Sequence, residues 1–258
     1  MPNEPNPLGV AWSIARARRV ELPRPTGTES IDYADFADVL RVLRADGIAA
    51  LPTRQRELTT FRDRMENVDP DTLAAGGSLA FWLNLYNAGA LSLAADAWLR
   101  RETTVLRVPE AFDATWATIA GEPLSLNDIE HGKIRRFGDP RIHAALVCGS
   151  GSCPTLRYEP FSEPLSPQLD DRMRSFLADG GATVDRETGT LRLSRIFLWY
   201  GGDFVRPGSM PTWLPARRRD LARSISRWLA DDDAAWVVAS RPGVEYATYD
   251  WGLACSIA

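Results

Sequence analysis

Basic residues other than arginine are scarce in this chain. Lysine occurs once, at Lys133, among 30 lysines and arginines, and histidine occurs twice, at His131 and His143. A Walker-type phosphate loop requires Gly-Lys followed by Ser or Thr, but Lys133 is followed by Ile134, so P-loop nucleotide hydrolysis is excluded. The two histidines also do not form an HExxH zinc motif. Any histidine-dependent catalysis must therefore use His131 or His143.

Cysteine is also rare, and no segment is typical of export or membrane insertion. Three cysteines are too few for a disulfide framework. The first residues are rich in proline and lack the basic start of a signal peptide. The most hydrophobic stretch, from Leu79 to Leu99, is interrupted by polar residues and predicts a buried helix rather than a membrane span. We therefore expect a cytoplasmic protein with reduced thiols.

Composition and charge indicate a folded globular protein without a basic surface for nucleic acid or membrane. The 258 residues are 45% hydrophobic and 25% charged, which is typical of globular proteins. The net charge of −4 and the lack of a basic run predict neither a nucleic-acid nor a membrane partner. No cofactor and no bound metal are expected, and no oligomeric state is assigned. We expect an extension over residues 1–30, with a short helix from Val10 to Leu22, and a single domain over residues 31–258.

The hydrophobic pattern changes along the chain, from helical periodicity to mixed helix and strand signals. Helices are predicted from Ile31 to Gly47, Arg54 to Asn67, Leu79 to Arg100, Asp128 to Arg136, Pro167 to Ala178 and Leu214 to Leu229. Strands or hairpins are predicted over Thr103 to Val108, Trp116 to Leu126, Arg141 to Cys148, Thr183 to Ser194, Ala235 to Ser240 and Val244 to Tyr249. This order favours an α+β fold, with a helical N-terminal half packed on a small mixed or antiparallel sheet.

The segment from Glu130 to Cys153 holds both histidines and two of the three cysteines. Its last loop can turn its backbone N–H groups inward as a donor nest for an oxyanion. The residues of that loop, which we take as substrate-binding, are Gly149, Ser150, Gly151 and Ser152. With Cys153 beside the nest as nucleophile and His143 nearby as base, a thiolate–imidazolium pair would form.

Three other interpretations of the same residues stay open. Cysteine is commonly buried, and a glycine-rich loop is often only a turn. His131, His143, Cys148 and Cys153 provide four metal-ligand types, although without the usual Cys-x2-Cys spacing. A reversible disulfide between Cys148 and Cys153 is a further alternative.

Polar residues on predicted helices offer further candidates. Asn84 and Asn87 share a face of the most hydrophobic predicted helix. Buried amides there either hold neighbouring loops or take part in the site. In the second case Asn84 would orient His143 and Asn87 would bind substrate. Glu130 either forms a buried ion pair with Arg135 or Arg141, or polarises an imidazole. With His131, it is a candidate substrate-binding residue.

Several long blocks together resemble the family called Domain of Unknown Function 547, over about residues 31–253. The blocks are AFWLNLYNAG, LSLNDIEHGKIR, DPRIHAALVCGSGSCP, LSRIFLWYGGDF and a closing YDWGL. Carried over position by position, the resemblance marks Asn84, Asn87, Glu130, His131, His143, Cys148, Cys153, Pro154, Tyr200, Asp203, Asp250 and Trp251. Tyr200 and Asp203 become candidate substrate-binding residues on this ground alone. The resemblance implies no particular activity.

Three functions fit these residues. The first is a cysteine-dependent hydrolase or acyl or peptidyl transferase, with a fold remotely papain-like or transglutaminase-like and an unidentified small-molecule or peptide substrate. The second is a thiol-redox or metal-binding protein that uses Cys148 and Cys153. The third is a binding module without enzymatic activity.

Overall fold

The chain begins with helices and continues with short strands alternating with helices. A computed structural model describes residue 12, residues 14–15 and residues 18–258, so the expected helix from Val10 to Leu22 lies partly outside the described residues. The main α-helices are α1 (Ala34–Asp46), α2 (Gln55–Met65), α3 (Ala75–Leu99), α4 (Leu165–Phe176), α5 (Ile196–Val205), α6 (Arg218–Ile225) and α7 (Asp231–Ser240). The strands are β1 (Thr115–Ile119), β2 (Glu122–Ser125), β3 (Ala182–Asp185), β4 (Thr190–Leu193) and β5 (Gly243–Tyr246). The fold is α+β with a helical N-terminal half, as the sequence predicts.

Helix α3 lies at the centre of the larger hydrophobic core. It is apolar on all sides, which is typical of a helix surrounded by protein. Of the 22 residues from Leu79 to Arg100, 17 are buried. Gly89 lets the β1–β2 hairpin approach, since a Cβ there would lie 2.6 Å from Leu126 Cδ2 and 2.8 Å from Trp116 Nε1. The prediction of a central buried helix is confirmed.

The strands form two small sheets. Strands β1 and β2 pair antiparallel as the predicted hairpin. In the second sheet, β4 lies between β3, which is antiparallel to it, and β5, which is parallel to it. A second hydrophobic cluster packs against this sheet and includes residues of α4, α5 and α6.

The helical segment after β2 positions two candidate site residues. Ser125 and Asp128 form the predicted capping box, in which the Ser125 hydroxyl accepts from the Asp128 N–H and the Asp128 carboxylate accepts from the Ser125 N–H. The predicted regular helix from Asp128 to Arg136 is wrong in detail. A single α-helical turn continues as a π-helical turn, Ile129–Lys133, and a 3-10 turn, Ile134–Phe137. π-Helical turns often occur at functional sites, and this one carries Glu130 and His131.

Several predicted strands are not strands. Arg141 to Cys148 begins instead with a 3-10 helix, Pro140–Ala144, because the Asp139 carboxylate caps the Arg141 N–H and Pro140 starts the turn. Thr103 to Val108 likewise holds a 3-10 turn, Val105–Arg107. Ala235 to Ser240 belongs to α7, whose first turn carries three aspartates that favour a helix start.

Two helices also differ from the sequence prediction. Helix α5 was not predicted, although it carries the block around Trp199 and Tyr200. The helix expected from Leu214 starts only at α6, since Pro215 and the residues around it are irregular. Among the described residues, no helix is long and apolar enough to cross a membrane.

Candidate functional site

A cavity of about 350 Å³ lies between the two hydrophobic clusters. Its wall includes both cysteines of the glycine-rich loop, both histidines and several aromatic side chains. The lining residues used below are Tyr86, Asp113, Glu130, His131, His143, Cys148, Cys153, Trp199, Tyr200, Tyr249 and Trp251. Residues 130 to 153 therefore meet α5 and the C-terminal segment in one concave site.

The two cavity cysteines lie in direct contact. Cys148 Sγ is 2.6 Å from Cys153 Sγ, and both thiols are free and half-buried. The turn between them requires Gly149, whose φ is +74°, and a Cβ at that position would lie 2.9 Å from Val105 Cγ1 and 3.2 Å from Ala94 Cβ. The loop thus brings together two thiols that are five residues apart in sequence.

Hydrogen-bond donors surround the Cys153 sulfur. The Cys148 N–H donates to Cys153 Sγ at 3.0 Å, and the Ser150 and Tyr249 hydroxyl oxygens lie 3.2 Å and 3.5 Å from it. Ser150 donates to the Tyr249 hydroxyl at 3.0 Å, which leaves the Tyr249 proton free to point at sulfur. Burial raises the pKa of the Cys153 thiol. Hydrogen bonds with the Cys148 thiol, Ser150 and Tyr249 outweigh burial and lower the pKa to about 6.

The partner thiol behaves in the opposite way. Its contact with Cys153, together with burial, raises the pKa of Cys148 well above its ordinary value. At neutral pH the pair therefore consists of one thiolate, on Cys153, and one thiol, on Cys148. The third cysteine, Cys255, keeps its proton as well, because burial raises its pKa to about 12.

His143 lines the cavity and belongs to a buried polar network. Its Nε2 lies 2.9 Å from Asp203 Oδ2, and its ring stacks on Tyr200 with centroids 4.2 Å apart. Arg135 donates two hydrogen bonds to Asp203, at 2.8 Å and 2.9 Å, and the Thr212 N–H donates a third at 3.1 Å. Burial alone would raise the pKa of Asp203, but His143 and Arg135 hold it well below its usual range.

His131 and Glu130 are neighbours but do not form a hydrogen-bonded pair. His131 Nδ1 lies 3.2 Å from the Arg135 guanidinium and 3.6 Å from Glu130 Oε1. Since arginine only donates, Nδ1 must accept and cannot carry the proton. Burial lowers the pKa of His131 to about 4, so the ring is neutral. The Tyr86 hydroxyl donates to Glu130 Oε2 at 3.3 Å.

Both asparagines of α3 hold loops, which was one of the two interpretations of the sequence. Asn84 accepts from the Phe161 N–H at 2.9 Å and donates to the Phe161 carbonyl at 2.8 Å. Asn87 does the same for the segment before Cys148, with the Val147 N–H at 3.1 Å and the Ala145 carbonyl at 2.9 Å. Neither amide lines the cavity, so their contacts give no support to the catalytic role expected for Asn84 or the substrate-binding role expected for Asn87.

The expected donor nest is largely occupied by the C-terminal segment. The Gly151 N–H donates to the Gly252 carbonyl at 3.0 Å, and the Ser152 N–H donates to the Asp250 carbonyl at 3.2 Å. These two groups are therefore not free to bind an oxyanion. Ser150 contributes through its hydroxyl instead.

Some residues of the site were not among the sequence candidates. Tyr249, Trp199 and Tyr86 line the cavity, and each adjoins or lies within a block that carries the family resemblance. Arg135 was expected as a partner of Glu130, but its ion pair is with Asp203. The ion pair between Arg135 and Asp203 could not be predicted from the sequence, because the two residues are 68 positions apart.

The comparisons with known proteins match one segment of the chain to a family model of unknown function. No curated protein and no solved structure matches the chain. In the part of the chain that the structure describes, no three His, Cys, Asp or Glu side chains are grouped so that they could hold a metal ion. Four residues marked by the resemblance lie outside residues 70–177, the segment that matches the family model: Tyr200, Asp203, Asp250 and Trp251. The resemblance is confirmed over residues 70–177, which match the family model described as "Protein of unknown function, DUF547" and include both cavity cysteines and both histidines.

Proposed function

We propose that the protein is a thiol–disulfide oxidoreductase of a small-molecule or peptide disulfide, with Cys153 as nucleophile and Cys148 as resolving thiol. The observation that carries this proposal is the 2.6 Å contact between the two sulfurs. Two thiols this close need little movement to form a disulfide. We further propose the cytoplasm as its location, where reducing systems regenerate a dithiol.

The proposed reaction has two balanced steps. The Cys153 thiolate attacks one sulfur of the substrate disulfide, which forms a mixed disulfide and releases the other substrate half as a thiolate that takes a proton from water. Cys148 then loses its proton and attacks Cys153 Sγ, which releases the second half as a thiol. The enzyme loses two electrons and the one proton of Cys148, and the substrate disulfide gains two electrons and two protons, of which the other comes from water.

The different protonation of the two thiols supports this order. An attacking thiol reacts as its thiolate, and donors at Cys153 stabilise that form. The resolving thiol stays protonated until the mixed disulfide forms and the negative charge on Cys153 is lost. The mixed disulfide removes the thiolate to which Cys148 is hydrogen-bonded, and that hydrogen bond is the main cause that raises the pKa of Cys148.

The test is a single-turnover reaction with bis(2-hydroxyethyl) disulfide, followed by mass spectrometry. The native chain is expected to lose two hydrogens and carry no adduct, whereas Cys148→Ala is expected to stop at a mixed disulfide on Cys153. Cys153→Ser is expected to be inert, and Cys255→Ser, the matched control, is expected to react like the native chain. A persistent adduct on the native chain, or equal labelling of Cys255 and Cys153, would contradict the proposal.

A second candidate is the cysteine-dependent hydrolase or acyltransferase. It is favoured by the hydrogen bond between His143 and Asp203 in the same cavity, because a carboxylate-oriented imidazole is the usual partner of a nucleophilic thiol. Here Cys153 would attack a carbonyl carbon and His143 would protonate the leaving group. The discriminating measurement is turnover of an activated ester by Cys148→Ala. Turnover that His143→Ala abolishes would favour the hydrolase, and an undiminished disulfide reaction in His143→Ala would favour the oxidoreductase.

A further inference from the structure

The cavity beside Cys153 contains negative charge and no permanent positive charge at its surface. Among the described residues that line it, Asp113 and Glu130 are acidic, and none is an arginine or lysine. Arg135 is a buried guanidinium that does not line the cavity; two hydrogen bonds hold it on Asp203, and its charge helps to lower the pKa of Glu130. A ligand in this cavity therefore meets carboxylates without a competing cation.

Glu130 is a buried carboxylate that lacks a direct cationic partner in the described part of the chain. Only 8% of its surface is exposed, and two phenols donate to it, Tyr86 at 3.3 Å and Tyr200. Its one ionic contact is the 3.6 Å approach of His131 Nδ1, which carries no proton because it accepts from Arg135. Burial raises the pKa of Glu130, but His131, His143, Arg135 and the Tyr200 hydrogen bond lower it, so the group is a buried carboxylate. Buried carboxylates are normally paired with a cation in direct contact, and a cation in the cavity can make that contact with Glu130.

Aromatic rings in the cavity wall are a second feature that attracts cations. Trp199, Tyr249 and Trp251 form one aromatic cluster, with ring centroids 4.6 to 5.7 Å apart, and all three line the cavity. Faces of tryptophan and tyrosine rings attract ammonium groups through their quadrupole. A carboxylate combined with aromatic rings is the usual chemistry of an ammonium-binding pocket.

We propose that the cavity selects small substrates that carry a cationic amine, which Glu130 and the Trp199–Tyr249–Trp251 cluster bind beside the reactive sulfur. The amine supplies the missing partner of Glu130, and the rest of the substrate reaches Cys153. This inference rests on the proposed function for the reaction, since it assigns the substrate as a cationic disulfide. The recognition of the amine itself does not depend on thiol chemistry.

The first experiment measures binding without any reaction. Two thioethers of matched length serve as probes, because they lack the S–S bond that a thiolate attacks: bis(2-aminoethyl) sulfide and bis(2-hydroxyethyl) sulfide. Calorimetric titration at physiological salt is expected to give at least tenfold tighter binding of the amine than of the alcohol. Equal binding of these two probes would overturn the inference.

Variants separate Glu130 from the general charge of the protein. Glu130→Gln is expected to weaken binding of the amine at least tenfold and to leave binding of the alcohol unchanged. Glu187→Gln removes the same charge from an exposed residue of the β3–β4 turn, and it is expected to leave both unchanged. Trp251→Leu tests the aromatic wall if Glu130→Gln does not fold. Tight amine binding by Glu130→Gln, or equal losses in both glutamate variants, would overturn the inference.

A second experiment distinguishes this inference from the proposed function. Single-turnover rates of the corresponding amine and alcohol disulfides are compared in the native chain and in Glu130→Gln. The native chain is expected to react at least tenfold faster with the amine disulfide, and Glu130→Gln is expected to lose that preference. Reaction without an amine preference would overturn only the substrate assignment. Amine binding without any disulfide reaction would overturn only the proposed oxidoreductase.

Discussion

Removal of the two hydroxyls beside Cys153 should raise its pKa, and most of the rise should require the loss of both. Ser150 and Tyr249 bring two hydroxyl protons, and one of them is used in the 3.0 Å bond between the two residues. One proton therefore remains for the sulfur, whichever residue holds it. In Tyr249→Phe, Ser150 is free to donate to Cys153, and in Ser150→Ala, Tyr249 still donates.

The magnitude follows from the strength of one hydrogen bond to a charged acceptor. Such a bond contributes about 1.5–3 kcal/mol, so its loss raises the pKa of a thiol by about 1–2. The double variant should therefore raise the pKa of Cys153 from about 6 to about 7–8. Each single variant should raise it by less than about half of that amount.

The assay is the pH dependence of iodoacetamide alkylation, with Cys153 quantified by peptide mapping. Cys255→Ser is the background for all variants, which removes the third thiol. Full additivity of the two single effects would refute the shared-proton reasoning. A pKa that stays near 6 in the double variant would refute the assignment of the hydroxyls as thiolate donors.

Three further predictions concern stability and composition. Gly89→Ala should lower the free energy of unfolding, measured by urea titration, by about 1 kcal/mol, because the new methyl group would clash with Leu126 and Trp116. An increase in the free energy of unfolding would contradict this packing. Burial lowers the pKa of His131 to about 4, so below about pH 6.5 the unfolded chain binds a proton at His131 that the folded chain does not. The free energy of unfolding should therefore fall by about 2 kcal/mol from about pH 7 to pH 5. His131→Asn should remove that part of the pH dependence, and an unchanged slope would count against a neutral buried ring. Elemental analysis should find no stoichiometric transition metal, whereas about one zinc or iron per chain, lost in Cys148→Ser, would favour the metal-binding alternative.

Local signals in the sequence account for most of the fold. The apolar run of α3, the capping box at Ser125 and the two hairpins depend on neighbouring residues, and each was predicted correctly. The errors at Arg141 to Cys148 and Ala235 to Ser240 arose where apolar β-type residues outweighed start signals for helical turns. Those signals, Asp-Pro before the first and three aspartates before the second, were present in the sequence.

The candidate site was predictable as a set of residues but not as a set of pairs. The sequence favoured a pair of Cys153 with His143 and kept a pair of Cys148 with Cys153 as an alternative. Cys153 contacts Cys148, and His143 contacts Asp203, which the sequence did not predict. Which partner a side chain meets depends on the path of the chain between them. The tight turn at Gly149 and the packing of α5 against the 3-10 turn at His143 both result from tertiary contacts that one sequence does not reveal.

A redox titration of the Cys148–Cys153 pair tests the central claim most directly. Cys255→Ser is equilibrated in glutathione buffers of graded potential, the thiols are trapped with acid and alkylated, and each species is quantified by mass spectrometry. The account predicts one cooperative two-electron transition from the dithiol to the intramolecular disulfide, with little glutathione adduct at any potential. Independent glutathione adducts on the two cysteines, with no intramolecular disulfide, would contradict it.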